Sequence, residues 1–236
     1  MGNIYVISDL HGQGKAFYAM LEKIHFSQED KLYILGDVVD RGPEGISLLE
    51  YIRRQENIEM ILGNHEDMML KSCKYPTDQM WMSTWMFNGG GTTLSGLRML
   101  PKEDRLACLD YERNLPLYRT ISVEGVDYLF IHAGLPLKEG SMEEICQDID
   151  EEEALWIRGE FFDSPVIPPY YIIFGHTPTG AMLRYSETIP ADQRERCKEF
   201  KIAFWNHRIG IDCGAAYGKN LGCLRLNDFK EFYVKI

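Results

Sequence analysis

Short apolar runs alternate along this chain with amphipathic stretches, and nearly every run ends in a cluster of small and polar residues. Ile4-Tyr5-Val6-Ile7 leads into Ser8-Asp9-Leu10-His11-Gly12. Residues 13–25 then space Phe17, Met20, Leu21 and Ile24 at helical intervals and return the chain to a second apolar run at 32–35. After Arg41-Gly42-Pro43 the positions Ile46, Leu48, Leu49 and Ile52 mark another helix, which leads back to a third run at 58–62. Two consecutive strand–helix–strand units predict a parallel sheet. Asp37 and Asn64 then fall at strand ends, where open α/β sheets build their binding crevices.

The pattern becomes mainly helical over 66–73 and through a long excursion at about 74–120, which carries Tyr75, Trp81, Trp85 and Phe87 and is expected to roof one side of a cleft. Its aromatics read as packing, and Asn88-Gly89-Gly90-Gly91 marks a turn. Strand-like runs resume at 127–131, ending in His132-Ala133-Gly134-Leu135, and at 170–174, ending in Gly175-His176-Thr177. Between them Ser141 and Glu144 form a capping-box pattern, and the acids of 148–153 read as a solvated helix start, not a metal site. Residues 184–198 read as a loop. Runs at 209–214, 222–226 and 229–236 read as closing strands, the last two as a hairpin. The expectation is one catalytic domain over residues 1–236.

With 45% hydrophobic and 26% charged residues the composition is that of a globular protein. The net charge of −11 and pI near 5.0 oppose binding to a nucleic-acid polymer or an anionic membrane. An anionic substrate must therefore be met by local positive charge. The six cysteines are scattered without a CxxC pair, and no leader-like stretch precedes the first strand. Reduced thiols in a cytoplasmic protein are expected. No apolar run approaches the roughly 20 residues of a membrane helix. Cys213 has no downstream arginine closing an anion loop around it, which argues against a phosphocysteine route.

Of the six histidines, His11, His65, His132 and His176 each sit in a small-residue turn just after a strand, whereas His25 and His207 do not. Together with Asp9, Asp37 and Asn64 they supply the oxygen and nitrogen ligands of a two-metal site, a set that suits Mn²⁺, Fe or Zn²⁺. One division gives Asp9, His11 and Asp37 to the first ion and Asp37, Asn64, His132 and His176 to the second, with Asp37 bridging. Two such ions activate a shared water and hold the oxygens of a phosphoryl group, so hydrolysis at phosphorus is implied. His65 is the candidate general acid, with Asp40 placed to orient it. Arg41 and Arg158 are candidates for phosphate contact, a salt bridge to nearby acids being the alternative for Arg158.

The ordered set SDLHG, GDVVDRG, GNHE, HAGL and GHT, with IDCGAAYG closing the chain, resembles the phosphoprotein phosphatase family of calcineurin-like metallophosphoesterases. The resemblance implies an α/β sandwich of two central mixed sheets flanked by helices. It also implies Asp9, His11, Asp37, Asn64, His132 and His176 as metal ligands, His65 and Asp40 as the catalytic pair, and Arg41, Arg158 and Asn64 at the substrate phosphate, with Mn²⁺ as the usual metal of bacterial and phage relatives. Leu62 before GNHE and the HAGL motif resemble both the compact bacterial and phage protein phosphatases and the symmetrical diadenosine tetraphosphate hydrolases. Glu66 leans toward the former. The expected substrate is thus a phosphoserine or phosphothreonine protein or peptide. The alternatives are a dinucleoside polyphosphate and, from another class, a metal-binding scaffold without turnover, which no missing ligand supports. The sequence sets no oligomeric state.

Overall fold

In the computed structural model, which describes residues 2–236, ten strands form two five-stranded sheets packed face to face. The first sheet runs β10-β9-β1-β2-β3. The two predicted strand–helix–strand units build its parallel part from β1 (Ile4–Ile7), α1 (Gly14–Lys23), β2 (Lys31–Ile34), α2 (Gly45–Ile52) and β3 (Ile58–Met60). The closing hairpin, β9 (Asn220–Arg225) and β10 (Lys230–Lys235), adds to β1 antiparallel.

The second sheet runs β4-β5-β6-β8-β7. Its centre, β5 (Val126–Ile131), β6 (Tyr171–Phe174) and β8 (Arg208–Gly210), is parallel, while β4 (Tyr118–Val123) and β7 (Ala203–Trp205) are antiparallel edges. Both sheets are therefore mixed, as expected. Val6, Leu35 and Ile61 from the first meet Phe130, Ile173 and Ile209 from the second in the shared core. The outer face of the first sheet buries Phe17 and Met20 of α1 and Leu48, Leu49 and Ile52 of α2. Burial on both faces is what lets these short strands read as continuous apolar runs.

Between β3 and β4 the chain forms the four helices of the roof: α3 (Asn64–Lys74), α4 (Gln79–Phe87), α5 (Gly91–Met99) and α6 (Lys102–Arg113). They close over their own core of Met68, Met69, Trp85, Leu97 and Leu109, joined by Ile46 of α2. The excursion is shorter than the expected 74–120, because its last residues already belong to β4. The signal was the Glu124-Gly125 pair between two β-rich runs; both residues take positive φ (51° and 83°), the geometry of a tight hairpin.

Short helices α7 (Met142–Gln147), α8 (Glu151–Trp156) and α9 (Gly159–Asp163) follow β5. Ser141 and Glu144 make the predicted capping box at α7. Asp150 caps α8 by accepting from the Glu152 and Glu153 amides, which gives the acidic run its expected place. After β6 come α10 (Thr179–Met182) and α11 (Ala191–Lys198), so 184–198 is not a loop throughout. Helix α11 buries only Cys197, which leaves no apolar stripe to read. Its signature is instead electrostatic, with Asp192 in the first turn and Arg196 and Lys198 in the last. The expected strand at 209–214 stops at Gly210, and β7 had no counterpart in the expectation. No described helix is long and apolar enough to cross a membrane.

Candidate metal centre and active site

The loops that leave β1, β2, β3, β5, β6 and β8 converge at one end of the two sheets and, with the first turn of α3 that carries Asn64 and His65, supply every predicted site residue except Arg158. These turns are tight. Asp9, His11, Asp37, Asp40, Arg41 and His176 all have positive φ, between 44° and 68°. A non-glycine residue in this left-handed region costs about 1–3 kcal/mol and persists where its surroundings over-determine it. Two glycines make room: a Cβ on Gly36 would lie 2.5 Å from Gly63 Cα and 2.8 Å from His132 Nδ1, so the GDVVDRG and GNHE turns touch only because both are bare there.

Asp37 lies at the centre. Its Oδ2 is 3.5 Å from His11 Nε2 and 3.9 Å from His65 Nε2, while its Oδ1 is 3.5 Å from His132 Nε2. The carboxylate thus faces two histidine groups, His11 with His65 and His132 with His176, each compact enough to hold an ion. This is the shared position expected of a bridging ligand. The first group differs in one member from the expected division, with His65 in the place given to Asp9. The Asp9 carboxylate accepts from the His176 amide (3.0 and 3.1 Å) and from the Ser8 hydroxyl.

The donor set fits a divalent cation. His11 Nδ1 donates to Val39 O (3.0 Å) and His132 Nδ1 to Leu35 O (2.7 Å), which turns the bare Nε2 of each ring inward. Asn64 Oδ1 stands 2.9 Å from His132 Nε2 and 3.0 Å from His176 Nδ1. With the ring proton of His132 on the Nδ1 that faces Leu35 O, the Nε2 contact sets lone pair against lone pair, an arrangement that a cation between them relieves. Burial, reinforced by neighbouring imidazoles and arginines, holds His11 and His176 well below the usual imidazole range and therefore neutral, as ligands must be. Burial also pushes Asp37 well above the usual carboxylate range, with Asp9 and Glu66 adding to the rise. A bound cation would reverse that shift.

Around this centre the predicted catalytic pair is in contact, with His65 Nδ1 2.7 Å from Asp40 Oδ2. Arg41 donates from its two Nη atoms to His11 Nε2 and His65 Nε2, each at 3.1 Å. Arg158 makes no ion pair with the nearby acids. It donates to Trp156 O (3.2 Å) and lies against the Tyr185 ring, lining the same cleft as Arg41, Asn64, His65 and His176.

Several contacts around the site were not foreseen from the sequence. Glu66, fully buried, accepts from the amides of Asp37 (2.8 Å), Val38 (2.8 Å), Val39 (3.2 Å) and Gly63 (3.1 Å), clamping the two motif turns together. Its place in GNHE is explained by this clamp on loop geometry. Trp85 and Thr93, from the roof, both bond the Asp40 side chain. Gly89 of the glycine-rich turn accepts from the Arg41 amide (3.1 Å). Asp212 is buried and raised well above the usual range by burial and by Asp9, with its Oδ1 accepting from Gly214 N (2.8 Å). Its signal was the strand-end position in IDCG, the same position that singled out Asp9 and Asp37. Arg184 also lines the cleft. Cys213 is buried, and burial raises its thiol far from the reactive range, in keeping with a structural role.

A family model for calcineurin-like phosphoesterases matches residues 2–205. The symmetrical bis(5'-nucleosyl)-tetraphosphatase of Acidovorax sp. (strain JS42) is 33% identical over 160 residues, 67% of this chain and 53% of that protein, so the chain spans about half the length of this relative. Serine/threonine-protein phosphatase 2 of Escherichia coli (strain K12) is 28% identical over 183 residues, 74% of this chain and 79% of that one. A solved structure provisionally named a diadenosine tetraphosphatase shares the fold with a TM-score of 0.65 at 19% identity, covering 99% of this chain and 93% of that chain. Paired sheets, six converging strand ends and a buried cluster of acids and imidazoles thus agree with the family match: this chain belongs to the calcineurin-like phosphoesterases and is a metallophosphoesterase hydrolase.

Proposed function

We propose that this protein hydrolyses dinucleoside tetraphosphates symmetrically, releasing two nucleoside diphosphates. The observation that carries this reading is the charge of the cleft. Arg41, Arg158 and Arg184 all line it, and none is among the ion-paired arginines, which are Arg53, Arg54, Arg119, Arg196 and Arg225. Three guanidinium groups without a salt-bridge partner among the described residues, in one cavity of about 360 Å³ on a chain of net charge −11, suit a chain of several phosphates better than one dianionic monoester. The tetraphosphatase named above is in keeping with this choice, which reverses the order of substrates expected from the GNHE motif.

Asp9, His11, Asp37, Asn64, His132 and His176 would hold two divalent ions, Mn²⁺ being the candidate. When bound, these ions supply Lewis-acid stabilisation and a water of lowered pKa. Arg41 and Arg158 orient the phosphate chain and meet the charge that grows on its oxygens. Oxygen from water joins one of the two central phosphorus atoms as the water releases a proton to solvent, the bond from that phosphorus to the oxygen it shares with the other central phosphorus breaks, and protonated His65 supplies the proton taken up by the departing diphosphate, to be reprotonated from solvent. Asp40 at 2.7 Å holds the His65 ring in the orientation this requires.

A second reading, hydrolysis of phosphoserine and phosphothreonine, draws support from the Escherichia coli protein phosphatase, of which this chain covers 79%. The two are separated by assaying chelator-treated, Mn²⁺-refilled protein on diadenosine tetraphosphate and on a phosphothreonine peptide. Faster nucleotide cleavage, with ADP as sole product, is expected. Faster peptide dephosphorylation would overturn the proposal in favour of the second reading.

A further inference from the structure

One arginine–tyrosine pair stands at each histidine group. Arg41, bonded to His11 and His65, has its guanidinium carbon 5.3 Å from the centre of the Tyr217 ring. Arg158 sits 5.6 Å from the centre of the Tyr185 ring and donates to the carbonyl of Trp156, whose indole meets His176 edge-on at 5.8 Å. Both tyrosines line the cleft, and both are half-exposed, at 58% for Tyr217 and 45% for Tyr185.

Resting on the dinucleoside reading above, we propose that Tyr217 and Tyr185 are stacking platforms for the two nucleobases, one at each end of the phosphate chain. Each ring is carried on backbone fixed by its surroundings. Tyr217 ends a 3₁₀ turn (Ala215–Tyr217) bracketed by Gly214 and Gly218, both with positive φ (77° and 67°). The turn is closed by Tyr217 N donating to Gly214 O at 2.9 Å and Lys219 N donating to Gly214 O at 3.1 Å. Space does not explain Gly218, since a Cβ there would meet nothing; the left-handed backbone does. Tyr185 precedes Ser186, which is buried and hydrogen-bonded to Asp163, and its carbonyl lies 2.8 Å from where a Cβ on Gly159 would be. Flat rings on a rigid backbone lose little entropy when a base stacks on them.

The pairing supplies what a phosphate-only site lacks. A guanidinium takes phosphate oxygens while the adjoining ring offers a π-face, so phosphate and base are read side by side. A phosphothreonine side chain presents no flat ring there. Stacking also tolerates any base, so guanine-containing dinucleotides are expected to be accepted alongside adenine ones.

The test uses Mn²⁺-loaded protein hydrolysing p-nitrophenyl phosphate, with ADP and methyl diphosphate as competing inhibitors. The two probes share charge and diphosphate and differ in the nucleoside. The double variant Tyr185→Ala/Tyr217→Ala is expected to weaken inhibition by ADP about tenfold or more and inhibition by methyl diphosphate less than about twofold. Tyr185→Phe/Tyr217→Phe is expected to keep wild-type ADP inhibition, because the ring and not the hydroxyl is used. Equal weakening of both inhibitors would overturn the proposal and reduce the tyrosines to supports for Arg41 and Arg158. The readout does not depend on tetraphosphate turnover. If wild-type protein leaves diadenosine tetraphosphate intact while ADP inhibition still falls selectively, the substrate reading fails and the base platforms stand.

Discussion

Trp85 donates its indole N–H to Asp40, 3.0 Å from both carboxylate oxygens, across 45 positions of sequence. Thr93 Oγ1 donates to the same carboxylate at 2.6 Å and accepts from the Asp40 amide at 2.8 Å. The roof helices therefore fix the group that orients His65. Asp40 is wholly buried, so each lost donor leaves lone pairs without water to replace it, at roughly 1–3 kcal/mol. Trp85→Phe with Thr93→Val is expected to lower kcat by about tenfold or more with a small change in KM. Steady-state kinetics beside elemental analysis would check it, with metal content expected to remain at the wild-type level.

His65 is 3.9 Å from Asp37 Oδ2 and shares a candidate ion group with His11, yet its Nδ1 is committed to Asp40. As a proton donor it should be dispensable for metal binding. His65→Asn is expected to reduce kcat by about 10²–10⁴ while two metal ions per chain are retained. Loss of one ion by the same elemental measurement would move His65 into the ligand set.

Glu66 satisfies four amides from two different turns, one of them that of the bridging candidate Asp37 and two those of the residues after it. Glu66→Gln replaces one acceptor oxygen by a donor that faces amides, so the clamp fails on that side. The expected outcome is a loss of about 2–4 kcal/mol in urea unfolding and about ten- to hundredfold weaker metal binding by titration calorimetry. Unchanged metal affinity would show that the turns hold their shape without the clamp.

Glu112 of α6 is fully buried, and neither carboxyl oxygen has a hydrogen-bond partner among the described residues; burial raises it well above the usual range, with nearby Glu66 and Asp40 adding to the rise. It is therefore protonated in the folded protein over a span of pH where the unfolded chain is ionised. Below the unfolded value both states are protonated and the group is neutral to stability. As pH rises through that value the unfolded chain sheds its proton first, and stability falls until the folded value is reached. The stability difference between Glu112→Gln and wild type is expected to be near zero at about pH 4 and to grow to about 1–3 kcal/mol in favour of the variant by about pH 8. Urea unfolding across this range measures it, and a difference that stays flat with pH would show Glu112 ionised in the fold.

The sequence by itself determined the parallel half of the first sheet, the strand runs at the centre of the second, and the positions of the ligand candidates. Those signals are local: an apolar run followed by a small, polar turn marks a strand end whatever surrounds it, and Asp9, Asp37, Asn64, His132 and His176 all follow such runs. Helix α11 and strand β7 were not legible, because one is nearly all polar and the other spans three residues, so neither has a period to read. Tertiary structure alone decided which side chains meet. Asp37 faces His11 through one oxygen and His132 through the other because Gly36 and Gly63 let two turns touch, and Trp85 reaches Asp40 because the roof folds back over the β2 loop. These contacts span from 26 to 95 positions along the chain and depend on packing between layers, which no window of sequence encodes.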